Sequence, residues 1–249
     1  MGDATIADCV SLFGATLTSH GHNLVSTGTG CPSDGPGDLT VDPADVFITV
    51  LGPLQNNSGP TQTHALLPGS TAIDGGAAEC PAVDSVPLAT DQRGKPRPID
   101  GNVDGLAVCD IGAVESFPVV NFAVTLTPDV GTVFDPMPVP GGPAGTFTIT
   151  AMFTNTSALP LRFPFFGVNT LTGGNRLLNA DGGIGGVGAT VTPEVGDEIL
   201  APGEAVTVDF VIGLQRHERF TFLVDLFGEP IIDHPVRVPE AALLGALGR

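Results

Sequence analysis

Residues 51–76 read LGPLQNNSGPTQTHALLPGSTAIDGG, and residues 90–115 read TDQRGKPRPIDGNVDGLAVCDIGAVE. Proline, glycine and polar turn residues dominate both stretches, and neither a helical nor a strand period survives in them. They predict an irregular lid folded over whatever precedes it. Upstream, residues 3–50 hold short apolar runs: Ala15-Thr16-Leu17, Asn23-Leu24-Val25 and Val46-Phe47-Ile48-Thr49-Val50. Gly, Asp, Asn and Ser separate them. Short strands between turns suit stacked coils, and a stack of coils needs a lid to stop further stacking.

The pattern changes after Ser116-Phe117-Pro118. Residues 121–127, 146–153 and 205–212 alternate apolar with polar side chains, the mark of strands with one buried face. Further strands are expected at 161–168, 187–192 and 220–227. Pro143, Gly173-Gly174, Gly182-Gly183 and Pro202-Gly203 punctuate them. About seven strands in a stretch of this length predict a β-sandwich.

The segment Leu51–Glu115 resembles the closing region of large secreted bacterial β-solenoid proteins of the choice-of-anchor Q group. Upstream, Ser19-His20-Gly21-His22-Asn23-Leu24 and Thr29-Gly30-Cys31 resemble that group's last coils, so the resemblance covers residues 9–115. The chain departs from the pattern at Ser58 (usually Gly), Thr71 (usually Pro) and Val114 (usually aromatic). The second half is similar to immunoglobulin-like accessory domains of bacterial surface proteins. Phe153-Thr154-Asn155-Thr156-Ser157 and the run from Leu200-Ala201-Pro202-Gly203 into Val208 carry that likeness. The expected fold is all-β: a short, capped right-handed β-solenoid remnant followed by an immunoglobulin-like β-sandwich. Terminal coils and cap would occupy 1–116, the sandwich 117–232 and a C-terminal tail 233–249. The tail, from Val238-Pro239-Glu240 to Arg249, faintly resembles a bacterial surface-sorting tail without its second proline. A short helix or strand docked on a subunit is the simpler expectation for it.

The formal net charge is −18, and Lys95 is the only lysine. Such a surface repels phosphate backbones and anionic lipid, which excludes a nucleic-acid-binding function and argues against membrane-surface binding. No run is long enough to span a bilayer. The absence of Trp and Tyr weakens a sugar-binding reading. Met1-Gly2-Asp3-Ala4 lacks the basic start and apolar run of a signal peptide. An extracellular chain without one is expected to be a mature fragment or an excerpt of a longer protein.

Cys9, Cys31, Cys80 and Cys109 form two local pairs, which suggests Cys9–Cys31 and Cys80–Cys109 disulfides; four free thiols is the alternative. Asp100-Gly101-Asn102-Val103-Asp104-Gly105 matches the first half of a calcium loop, with oxygen ligands at alternate positions before a turning glycine. Ile111 stands where the loop's closing Glu belongs, and Asp110 beside it is the substitute. The candidate calcium ligands are therefore Asp100, Asn102, Asp104 and Asp110, against a plain Asx-turn loop. No other cofactor is expected. Arg93, Lys95 and Arg97 concentrate the cations, either as an anion clamp or as partners for Asp74, Asp91 or Asp110 that lock the cap. His20 and His22 could share a metal only with a third ligand that the sequence does not supply. His64 reads as a hydrogen-bonded polar group. Asn56-Asn57-Ser58 and Asn155-Thr156-Ser157 match the N-glycosylation pattern, which carries little meaning in a bacterial context.

No nucleophile motif occurs, and the carboxylates fall beside turns. The leading expectation is a non-enzymatic extracellular structural protein of a bacterial surface, self-associating through strand edges into a homo-oligomer or filament. The alternatives are the C-terminal anchoring or adhesion portion of a larger β-helix surface protein, and a non-catalytic part of a carbohydrate-active enzyme.

Overall fold

A computed structural model describes residues 9, 16–27, 31–80, 86–126 and 131–232. The tail expected at 233–249 lies outside these residues. The described chain is nearly all β, as its composition and alternation require.

In the first half, β1 (Leu24–Ser26) pairs in parallel with β2 (Leu39–Val41), Leu24 beside Leu39. A parallel pair needs a crossover of about a dozen residues, which residues 27–38 supply. β3 (Leu51–Gln55) and β4 (Thr63–Leu66) form an antiparallel hairpin with a bulge between Leu51 and Leu54. Among the described residues, most of what remains of this half is turns, with isolated bridges Thr90↔Pro96 and Ile99↔Val108. The expected strand at Val46–Val50 is instead a five-residue π-helical turn. Asp42 caps the amide of Ala44, and the carbonyl of Asp45 accepts from the amides of Ile48 and Thr49 and from the Thr49 hydroxyl. Local turn bonds override the β preference of these branched side chains.

In the second half, β5 (Val124–Leu126) and β6 (Gly131–Asp135) both pair with one side of β7 (Thr146–Asn155). Next come β8 (Leu161–Leu171), β9 (Arg176–Leu177), β10 (Thr190–Val191), β11 (Ile199–Leu200), β12 (Ala205–Gly213) and β13 (Phe222–Pro230). β12 pairs with the other side of β7 over nine residues and also with β9. The second sheet centres on β8, which pairs with β13, β10 and β11. All these pairings are antiparallel. The two sheets face one another across a shared core, in which the Phe153 ring lies 4.4 Å and the Phe210 ring 5.9 Å from the Phe166 ring. Strand β12 alternates cleanly, with Val206, Val208, Phe210 and Ile212 inward. Strand β8 does not, because both of its faces are covered. Phe166 and Val168 enter the shared core, while Phe165 packs against Ile99 and Phe117 of the preceding half.

Both expected disulfides are formed, with Cα–Cα separations of 4.9 Å for Cys9–Cys31 and 5.5 Å for Cys80–Cys109. The second joins residues 29 apart, and the described residues between them hold isolated bridges but no strand or helix. Its removal by the double change Cys80→Ala/Cys109→Ala is expected to cost about 3 kcal/mol, read as a lowered urea midpoint. An unchanged midpoint would show that the cap's polar network alone holds the loop.

Candidate functional site

The chemistry-bearing side chains converge in the cap. Asp91, Asp110 and Glu115 are 6%, 4% and 1% exposed. Arg93 places Nε and Nη2 at 2.9 and 2.7 Å from Oδ2 of Asp91, and donates from Nη2 to the Glu115 carbonyl. Asp91 also accepts the amides of Arg93, Lys95 and Glu115. Arg97 donates from Nε to Oε2 of Glu115 at 2.9 Å and from Nη2 to the Asp110 carbonyl. Glu115 in turn accepts the amides of Ile99 and Asp110.

Arg93 and Arg97 therefore lock the cap, the second of the two readings open to the cations, whereas Lys95 turns to Asp181 of the second half, outside the three expected partners. Asp91 is a partner as expected for Arg93. The partner of Arg97 is Glu115, which was not among the three candidates; of those, Asp110 receives Arg97 only through its backbone carbonyl. Glu115 follows an apolar run at the end of the cap, and an acidic residue closing such a run was the one available signal for it. Each buried charge is met by an opposite charge or by backbone amides, the condition for burying it at all.

Four carboxylates, counting Asp74, share this cluster with two guanidinium groups. Burial pushes Asp110 up to about 7, and the neighbouring Glu115 and Asp74 charges act in the same sense. Burial likewise raises Glu115 and Asp74. The outlying Asp38 is the opposite case, held down at about 2 by bonds from the Ser19 hydroxyl and from the Asn23 and Gly35 amides.

The residues expected to form a calcium loop turn inward on their own backbone. Asp100 accepts the amides of Asp104 and Gly105, Asn102 accepts that of Asp104, and Asp104 accepts that of Leu106. Asp110 is directed at the amides of Asp74 and Ser116 instead. Among the described residues no group of three or more His, Cys, Asp or Glu is disposed to hold a metal ion. His22 approaches the Gly75 carbonyl through Nδ1 at 3.4 Å, and His20 is exposed. His64 bonds the Gly52 carbonyl at 2.7 Å, as a polar group satisfied by the backbone.

A second polar cluster joins the cap to the sheets, and nothing in the sequence pointed to it. Ser58 bonds the hydroxyl and amide of Thr190, whose hydroxyl donates to Asp181. Lys95 reaches the same carboxylate at 3.5 Å and the Thr192 hydroxyl at 2.6 Å, with its Nζ 4.3 Å from the centre of the Phe165 ring. Burial lowers the lysine's pKa, opposed by Asp181. Ser58 has φ of +77°, a conformation that favours glycine. Its hydroxyl is what the seam uses. Beside it Gly182 meets backbone directly, since a Cβ there would lie 2.8 Å from atoms of Gly59 and Ser58.

Asn155, in the second glycosylation pattern, is fully buried. Its amide donates to the carbonyls of Leu159 and Leu200, and its oxygen accepts from the Ser157 amide and hydroxyl. Modification there is closed off. Asn155→Ala is expected to cost about 2 kcal/mol by orphaning buried carbonyls. A loss under about 0.5 kcal/mol in urea titration would contradict that role for the side chain.

The most exposed β structure is β6, whose five residues are all exposed, with Val133 at 66% and Phe134 at 45%. It pairs with β7 on one side, and among the described residues no strand pairs with its outer rim. No helix among the described residues is long and apolar enough to cross a membrane. No family model, no curated protein and no solved structure matches the chain.

Proposed function

We propose that the protein is a non-enzymatic structural component of a bacterial cell surface that associates with copies of itself through strand edges. The exposed edge strand β6 carries this reading. A bare strand rim with Val133 and Phe134 in solvent is a template for pairing with another chain. Three further observations support the setting. The parallel pair β1–β2 suits terminal coils of a right-handed solenoid. Two facing antiparallel sheets suit an immunoglobulin-like sandwich. Two disulfides and a strongly acidic surface suit an extracellular chain. A structural role also fits the cap, whose acids and bases are consumed by one another and by backbone amides. Calcium at Asp100, Asn102 and Asp104 would tighten a loop that its own amides already shape.

A second reading, the anchoring or adhesion end of a larger β-helix surface protein, draws on the same β1–β2 pair. The two part on one measurement: sizing by light scattering and negative-stain imaging of the purified chain across a hundredfold concentration range, with and without calcium. Self-association predicts growing particles. A monomer at every concentration would remove it and leave the anchoring reading.

A further inference from the structure

The two sheets are not closed equally along their length. On the side where β13 and β7 are the outer long strands, residues 118–126 run first beside β13 and then across to β7. Val120 donates to the Leu226 carbonyl, Val119 bridges Phe227, and Val124–Leu126 pair with Phe153–Asn155. That crossing seals one half of the side. In the other half β6 lies beside β7, but among the described residues no strand lies beside β13 over Phe222–Val224. Between these two rims is an open cleft of about 730 Å³, lined by Phe134, Phe147, Ile149, Phe220 and Phe222. Phe134 and Phe147 are directly paired across β6 and β7 and face the same way. The cleft is core with one strand missing. Leu214, His217, Glu218 and Arg219 of the β12–β13 connection complete its wall, with the His217 ring 5.6 Å from that of Phe134.

We propose that this cleft receives the apolar C-terminal segment, Ala241–Leu247, of a second copy of the chain, laid in extended form along β13. The exit of the chain argues for a neighbour's segment over the molecule's own. Phe222, at the cleft, and Pro230 are opposite ends of β13, roughly 26 Å apart at the usual strand rise. The last described residue, Ile232, is at the far end, where Ile231 bonds Pro160. Between that end and the cleft the rim of β13 is already taken by residues 118–120, which bond Leu226 and Gly228 and bridge Phe227, so the molecule's own tail has no open rim to return along. Placed on the next copy, the same segment needs only to cross a junction. Arg237 and Arg249 balance Asp233 and Glu240, so this stretch escapes the repulsion that the remaining chain exerts on a copy. Donor and acceptor at opposite poles make the contact head-to-tail, which propagates as a filament where the rotation does not close.

This inference rests on the self-association reading, and the experiment separates the two. Phe134→Glu puts a charge into the cleft at a half-exposed position; Phe134→Ser is the milder form should the first misfold. Leu243→Asp/Leu244→Asp spoils the donor in the full-length chain. Light scattering of wild type should show growth with concentration, and each variant alone should stay monomeric. An equimolar mixture of the two should form dimers and stop, since only one cleft and one donor remain intact between them. If wild type grows and both variants grow equally well, the cleft is not the joint, and self-association stands on another edge. If wild type never grows, the self-association reading falls with it.

Discussion

Glu115→Ala is expected to remove about 3–5 kcal/mol of stability, the scale set by breaking a buried ion pair from one side. The change strands the Arg97 guanidinium, 7% exposed, without its carboxylate. It also leaves the amides of Ile99 and Asp110 without acceptors. Ile99 belongs to the small cluster with Phe117 and Phe165 that fixes the cap on β8, so loosening should spread to the seam. Glu115→Gln keeps an acceptor oxygen and should lose clearly less. Urea denaturation gives the magnitudes, and hydrogen exchange over residues 91–117 gives the location. A loss below about 1 kcal/mol for the alanine variant would mean that water enters and replaces the carboxylate, and the description of this cluster as a lock would have to go.

Acidification from pH 7.5 to 5 is expected to stabilise the protein. Asp110 titrates near 7 when folded and near its ordinary 3.8 when unfolded, so between these values the folded chain binds more protons. Its contribution is fully present below the unfolded value and is lost as pH rises through the folded one. For this group alone the gain between pH 7.5 and 5 is about 2.5 kcal/mol as an upper bound. Glu115 and Asp74 are displaced the same way, and protonation relieves the chain's general negative repulsion. Asp38 works in the opposite sense, but only as pH falls from about 4 towards 2, so stability should peak near pH 4 to 5. Chemical denaturation at a series of pH values measures the slope, and Asp110→Asn should flatten it. A midpoint that falls steadily from pH 7.5 to 5 would show that the cluster is held ionised.

Much of the architecture was legible along the chain. The strands at 146–153, 161–168 and 205–212 were expected and are present, extended by two or three residues or by one. A β face that is buried on one side writes itself as alternation. The expected strand at 121–127 begins instead with a three-residue 3₁₀ turn before β5. Strand β6 escaped notice because all five of its residues are exposed, only Phe134 turning towards the cleft, and a strand that packs against little leaves no pattern. The π-helical turn at 46–50 was hidden for the reverse reason: its residues are strong β formers, and hydrogen bonds to Asp45 outweigh them.

By itself, then, the order of residues determined the all-β character, the punctuation of the strands, and the acidic surface. It also pointed to the two disulfides that form, because local cysteine pairs suffice for that. Tertiary structure alone decided which carboxylate meets Arg97, why a serine holds a glycine-like conformation at position 58, and which stretch of sheet rim stays open. Those are contacts between residues that lie 18 to more than 100 positions apart. No spacing rule reaches that far, since such partners are chosen by how whole sheets and loops pack, and not by neighbours along the chain.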